Sequence, residues 1–247
     1  GATWRYDAER PRIGGNVRWG MSNNFTLNGT VNPDFSQIES DAGQVSYDPR
    51  QALFFPEKRP FFLDGSEFFN TPKNLVYTRR IVQPVAAAKI TGKISGFSLG
   101  LLNAVDGTDG SLDGASHPVY TIARIQDDFG PRGKLGLLLT DRTEGSLYNR
   151  VASLDGRRVF ASIYSAQAQY AQSVTRLSPT SAATSAPLWN AVVSRNGKAF
   201  KFRYAFDAVD ERFRTQSGFI GRGGIATGLL DQWYTYYLPA GHFLETI

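Results

Sequence analysis

The alternation of apolar and polar positions is sharpest at residues 199–209, Ala-Phe-Lys-Phe-Arg-Tyr-Ala-Phe-Asp-Ala-Val. Phe200, Phe202, Tyr204 and Phe206 share one parity, and Lys201, Arg203 and Asp207 take the other. Successive side chains of a strand point to opposite faces, so the segment predicts an aromatic face backed by a charged one. Such a strand fits two environments. Its aromatic face meets lipid while the charged face meets a wet interior, or it meets a protein core while the charged face meets solvent.

The same unit recurs upstream. Residues 15–21 set Val17, Trp19 and Met21 against Asn16, Arg18 and Gly20, Ser22-Asn23-Asn24 turns the chain, and residues 25–31 alternate again. Residues 188–194 supply a partner for 199–209 across Arg195-Asn196-Gly197-Lys198, which reads as a two-residue Asn-Gly hairpin turn. Further pairs are 85–91 with 97–105 across a turn at 92–96, 119–126 with 134–140, and 149–157 with 162–171. Residues 233–238 read as an aromatic strand without a partner. Turns within pairs are brief, whereas 106–118, 174–187 and 210–228, between pairs, are long and rich in Gly, Ser, Asp and Pro.

Short turns at one end and long loops at the other predict an all-β fold, a transmembrane antiparallel up-and-down β-barrel with periplasmic turns. The count is roughly eleven strands, and single-chain bacterial barrels close with an even number. The terminal Gly-His-Phe-Leu-Glu-Thr-Ile reads as the opening of another strand, so residues 1–247 are expected to form part of a barrel. No leader of basic then apolar residues follows Gly1, which suggests a mature or trimmed chain.

Residues 33–80 break the alternation and are dense in both aromatics and charges. A stretch of this length without strands is too long for a plain connection. It predicts an inward-folded, plug-like segment, tolerated where irregular backbone contacts protein or water. Asp34, Glu39, Asp41, Glu57, Lys58, Arg59, Asp64, Glu67, Arg79 and Arg80 would form its lumenal polar network. Phe54, Phe55, Phe61, Phe62, Phe68 and Phe69 would anchor it, and Pro56 and Pro60 disfavour helix or central strand.

The runs Thr30-Val31-Asn32-Pro33-Asp34-Phe35-Ser36-Gln37-Ile38-Glu39-Ser40-Asp41, Phe54-Phe55-Pro56-Glu57-Lys58-Arg59-Pro60-Phe61-Phe62-Leu63-Asp64-Gly65 and Tyr77-Thr78-Arg79-Arg80-Ile81 carry a resemblance. So do Ala87-Ala88-Lys89-Ile90-Thr91-Gly92-Lys93, Gly100-Leu101-Leu102-Asn103-Ala104 and, more loosely, Ser217-Gly218-Phe219. The chain resembles a family of bacterial outer-membrane proteins of unassigned function, whose barrel usually follows an N-terminal domain similar to family-9 carbohydrate-binding modules. The resemblance implies that this chain covers the first part of that barrel without the carbohydrate-binding domain. Any link to carbohydrate handling follows from the resemblance alone, and it brings no residue-level function.

Composition removes several alternatives. No run approaches the roughly 18 apolar residues of a transmembrane helix. The net charge is +5, yet the 27 Lys and Arg are scattered among 22 acids, which argues against nucleic acid as a partner. With no Cys there is no disulfide, thiolate nucleophile or Cys-based zinc site. Glu57 and Glu67 are a conceivable acid and base pair for glycoside hydrolysis, but their basic neighbours favour ion pairing. No Gly-x-Ser-x-Gly elbow occurs, and His117 and His242 lie in or near loops, so serine-hydrolase chemistry lacks support. Asp106, Asp109 and Asp113 are a weak calcium candidate whose spacing fits no EF-hand. Gly221-Arg222-Gly223-Gly224 lacks the parts of a phosphate loop.

Trp4, Tyr6, Trp19, Trp233, Tyr234, Tyr236 and Tyr237 read as interfacial girdle residues rather than sugar platforms. The expectation is therefore a bacterial outer-membrane barrel without cofactor or catalytic residues, acting as pore or surface scaffold. Phe200, Phe202, Tyr204 and Phe206 would face lipid, and carbohydrate or other outer-membrane proteins would be its partners. The rival readings are a membrane-anchored hydrolase of polysaccharide or peptide using the acids of 34–67, and a soluble β-sandwich binding module.

Overall fold

A computed structural model describes residues 13–35 and 53–237. Eleven antiparallel strands follow one another as neighbours in a single up-and-down sheet. They are β1 Gly15–Ser22, β2 Phe25–Val31, β3 Pro84–Ile94, β4 Phe97–Asp106, β5 Val119–Phe129, β6 Gly133–Glu144, β7 Leu147–Phe160, β8 Tyr164–Arg176, β9 Thr184–Asn196, β10 Phe200–Val209 and β11 Ile225–Tyr234. Among the described residues β1 and β11 share no ladder.

Turn chemistry explains the tight hairpins. Ser95 and Gly96 both take positive φ, 49° and 90°, and close the Ile94–Phe97 pair as a two-residue turn whose twist suits the flanking strands. At 195–198 the expected Asn-Gly turn does not form. Asn196 pairs with Lys201, and residues 197–199 form the loop between the two strands. Arg195 explains it: its Nη1 donates to the Phe200 carbonyl, and a Cβ on Gly197 would collide with that guanidinium. The glycine serves the side chain above it rather than a left-handed turn.

Three loop boundaries also differ from expectation. The strand expected at 233–238 begins instead at Ile225 and pairs residue for residue with β10, from Val209–Ile225 to Phe200–Tyr234; residue 238 lies outside the described residues. Its Ala-Thr-Gly start carries little alternation, so β10 decides the pairing. The loop expected at 174–187 shrinks to 177–183, because Ser173 and Thr175 keep the polar parity of a strand. Between β6 and β7 lies only Gly145-Ser146, although the other four connections at that end are longer. The strand expected at 134–140 continues through the charged run 141–144.

The two faces of the sheet invert the usual arrangement. One face is covered by residues 53–83, here called the strap, which contains α1 (Pro60–Leu63) and 3₁₀ turns at Ser66–Phe69 and Thr78–Arg80. Phe62, Phe69, Leu75 and Ile81 of the strap are buried with Leu102, Tyr120, Ile122, Leu138, Val151, Ala171, Leu188 and Val209 of seven successive strands. The strap bonds to β2 through Asp64 and to β10 through Lys73, so the intervening strands curl over it. Yet most other positions of this covered face are polar: Asn28, Lys89, Thr91, Arg124, Thr140, Arg142, Asn149, Ser153, Gln169, Ser173 and Asn190 are all buried.

The open face carries the other parity. Leu101, Ile125, Leu135, Leu137, Leu139, Leu154, Trp189, Val193 and Phe206 are exposed there. Phe200, Phe202 and Tyr204 lie in a row on it, with centroids 5.9 and 4.7 Å apart. At the short-turn end Phe160 stacks on Tyr164 and Phe200 on Tyr234. Among the described residues no second sheet packs against any of them.

Gly100 shows how sequence seats the strap. A Cβ there would meet the Phe69 ring at 2.9 Å. Gly100→Val should therefore destabilise the protein by about 1–3 kcal/mol through overpacking. Ala88→Val, on the open face of neighbouring β3, should stay within about 0.5 kcal/mol. Denaturant unfolding midpoints compare them, and equal effects would remove Phe69 from contact with β4.

Candidate functional site

The covered face and its strap hold most of the buried polar chemistry of the chain. Glu57 and Arg59 form its best-defined unit. The Arg59 Nε and Nη2 donate to the two Glu57 carboxylate oxygens at 2.8 and 2.7 Å. Its remaining N–H groups donate to the carbonyls of Ile81 (2.7 Å) and Thr78 (2.8 Å). The Thr78 hydroxyl adds a 2.6 Å bond to Glu57, and Phe62 lies under the guanidinium at 4.3 Å. A planar fork with five donors suits such a site, because one side chain can tie a carboxylate and two backbone carbonyls together. Pro60, whose fixed φ suits the first position of a helix, starts α1 directly after this clamp. Burial works against the Glu57 charge, but the bonds from Arg59 and Thr78 outweigh it and hold its carboxyl below the ordinary value of 4.5.

The turn after α1 is fixed from the sheet. Lys89 of β3 is buried and donates to the carbonyls of Phe61 and Asp64. The Asp64 carboxylate accepts from Asn28 at 2.8 Å and lies 3.6 Å from Arg18. Lys73 pairs with Asp207 of β10 at 2.7 Å, and its N–H donates to Gln169 of β8, also at 2.7 Å. The Asp106 carboxylate, fully buried, accepts from the backbone N–H groups of Val82 (2.8 Å) and Gln83 (2.7 Å) where the strap joins β3.

The residues predicted for a polar network thus divide. Glu57, Arg59 and Asp64 are bonded within the strap or to the sheet. Glu67 is exposed on the Ser66–Phe69 turn and makes no ion pair among the described residues. Asp34 lines a cavity of about 670 Å³ with Arg18, Asn28, Phe61 and Asp64. The Lys58 N–H bonds to Glu57, Arg79 reaches the Pro56 carbonyl, and Arg80 the Gly218 carbonyl. Glu39 and Asp41 lie outside the described residues. Of the six phenylalanines, Phe62 and Phe69 are buried and Phe61 and Phe68 partly so, whereas Phe54 stacks on Tyr77 and meets Phe219 edge-on.

The three candidate calcium ligands are employed separately. Asp106 is taken up by backbone amides, and Asp109 lines a different cavity. Asp113 closes its own loop, where bonds from Ser111, Ser116 and the Ala115 and Ser116 amides hold it well below the usual carboxylate range. Among the described residues no group of three or more His, Cys, Asp or Glu could hold a metal ion. His117 bonds to the Asp106 carbonyl, and His242 lies outside the described residues. Of the aromatics read as a girdle, Trp4 and Tyr6 are likewise outside. Trp233 pairs with Lys201 and Tyr234 with Phe200, so the two occupy opposite faces.

Several contributors were not singled out from sequence: Lys73, Lys89, and the buried pairs Arg124–Asp155 (2.7 Å) and Arg142–Glu144 (2.6 Å). All but Lys73 sit on the polar parity of their strands. Extending the parity read at 199–209 through β3–β7 is the signal that would have found them.

The sequence pattern of a family described as "Domain of unknown function (DUF5916)" matches residues 6–95, a span that holds β1, β2, the strap and β3. No curated protein and no solved structure matches the chain.

The Glu57–Arg59 clamp makes the strap sensitive to acid. A carboxyl depressed in the folded state contributes stability that is complete above its unfolded value and lost as pH falls through the folded one. Protease cleavage within residues 53–83 should therefore accelerate as pH drops below 4.5. Glu57→Gln should cost about 3–5 kcal/mol at neutral pH, because it leaves a buried guanidinium without its carboxylate. It should also flatten the acid response. A cleavage profile unchanged by the substitution would dismiss the clamp as the strap's fastener.

Proposed function

We propose that the chain forms part of an outer-membrane β-barrel, serving as a pore or surface scaffold, whose polar interior the strap fills at the long-loop end. One observation carries this reading: the open face bears a broad apolar band on which no described residue packs, while charge is buried on the other side. Leu137, Leu139, Leu154 and Trp189 are 44%, 49%, 53% and 51% exposed, whereas Lys89, Arg124 and Arg142 are 1%, 3% and 3% exposed. A protein in water buries the first kind of residue and displays the second, and contiguous apolar patches of this extent mark contact with another phase. Lipid supplies that phase, and a wet interior accounts for the polar parity.

Aromatic placement agrees. On the open face Phe25, Phe97, Phe129, Phe160, Tyr164, Phe200 and Tyr234 all stand at the short-turn ends of their strands. Rings gathered at one level with leucines beyond them match the girdle and apolar band of such barrels. In hydrocarbon every backbone polar group needs a partner, so the free edges of β1 and β11 must also be paired in the membrane. The carbohydrate association rests on the family resemblance and on nothing in the geometry. Among the described residues no helix is long and apolar enough to cross a membrane.

The protein should require detergent for extraction and migrate differently on gels before and after boiling. Leu137→Arg should lower folding stability in lipid vesicles by about 2–4 kcal/mol if the residue sits near mid-bilayer. A soluble sheet would tolerate an arginine at so exposed a position within about 0.5 kcal/mol, and that result would end the membrane reading. In planar bilayers Glu57→Gln should raise single-channel conductance of a pore and leave a closed scaffold silent.

A further inference from the structure

At the long-loop end, where the strap meets the connection between β10 and β11, four arginines line one cavity of about 390 Å³. Arg79 and Arg80 come from the strap, Arg142 from β6 and Arg214 from the loop, with Tyr120, Thr215 and Gln216 also at the wall. The only carboxylate among its lining residues is that of Asp109.

The cations differ in how they are neutralised. Arg142 is buried and pairs with Glu144 at 2.6 Å, with further bonds to Tyr120 and Gln216. Among the described residues Arg80 and Arg214 have no carboxylate partner. Arg80 donates to the Gly218 carbonyl, and Arg214 to the carbonyls of Glu211 and Phe213. Each guanidinium therefore keeps donors and its full charge for the cavity. The wall is also rigid where it counts. Asn149 of β7 donates to the Arg214 carbonyl at 2.9 Å and accepts from the Gln216 N–H at 2.7 Å, so Arg214 is presented from a clamped backbone.

We propose that this cavity binds an organic oxyanion of the phosphate-monoester class. Paired guanidinium forks match the oxygen spacing of a phosphate. The surplus of positive charge, counting Arg80 and Arg214 against Asp109 with Arg142 already neutralised, favours an anion over a neutral ligand. The volume leaves room for a small organic group, which Leu112 and Val82 would contact at the wall. The site is independent of the membrane reading, since its residues all lie on the covered face or in the loops. A phosphate monoester could arrive as a free solute or on a lipid headgroup, and the test separates these.

The detergent-solubilised protein is titrated calorimetrically with inorganic phosphate, with a hexose phosphate and with the same hexose unphosphorylated. Binding of both phosphates and not of the neutral sugar is expected. Arg80→Ala and Arg214→Ala should each weaken binding about tenfold or more, as loss of a hydrogen bond to a charged group does. Both side chains are exposed and bonded only to loop carbonyls, and an unchanged unfolding midpoint checks each fold. Asp109→Asn should strengthen binding several-fold, a gain that a purely structural role would not produce. Arg203→Ala, on β10 toward the short-turn end, should change nothing. In a parallel arm, micelles doped with phosphatidic acid binding where both soluble phosphates fail would assign the site to lipid and overturn the soluble-ligand form. Absence of binding in both arms, or affinity indifferent to Arg80 and Arg214, would overturn the proposal altogether.

Discussion

Charge buried on the covered face has to be paired, and the strap is what pairs much of it. Lys89 would stand isolated in the middle of β3 without the carbonyls of Phe61 and Asp64. Asp207 would lack Lys73, and Asp106 would lack the amides of Val82 and Gln83. An unpaired buried ion costs several kcal/mol, far more than a surface pair returns. Sheet and strap are thus conditions of each other. The strap has little regular structure of its own, and the strands bury ions, Lys89 and Asp106 among them, that the strap satisfies.

The same constraint fixes where each residue type can go. Small residues, Gly100 and Ala171 among them, leave volume on the covered face for strap side chains, while Gly136 leaves room for the Arg124 guanidinium. Large apolar residues are then left for the open face, where no described residue covers them. Inverted polarity is what connects the ion pairs inside with the leucine and aromatic band outside, and the proposed membrane setting follows from both halves together.

Much of this was legible along the chain. Period-two alternation located most of the strands, because a one-residue slip would have sent aromatics and charges to the wrong faces. The break at residues 33–80 marked the segment that does not join the sheet. Hidden were the features that depend on a neighbour: β11 begins eight residues before the aromatic cue at Trp233 because β10 holds it there. The Asn-Gly pair at 196–197 gave a false turn type because the bond from Arg195 to the Phe200 carbonyl, across the loop itself, overrides the two-residue turn preference.

What the sequence by itself determined is the phase of each strand and the chemistry available to each face, since both follow from local spacing. Which charges meet was decided only in three dimensions. Glu57 finds Arg59 two residues away, but Lys73 finds Asp207 and Arg80 lies beside Arg142 and Arg214 only because the sheet curls and the strap crosses it. Alternation sets the direction of a side chain. Its partner is set by curvature and strand order, which no local pattern encodes.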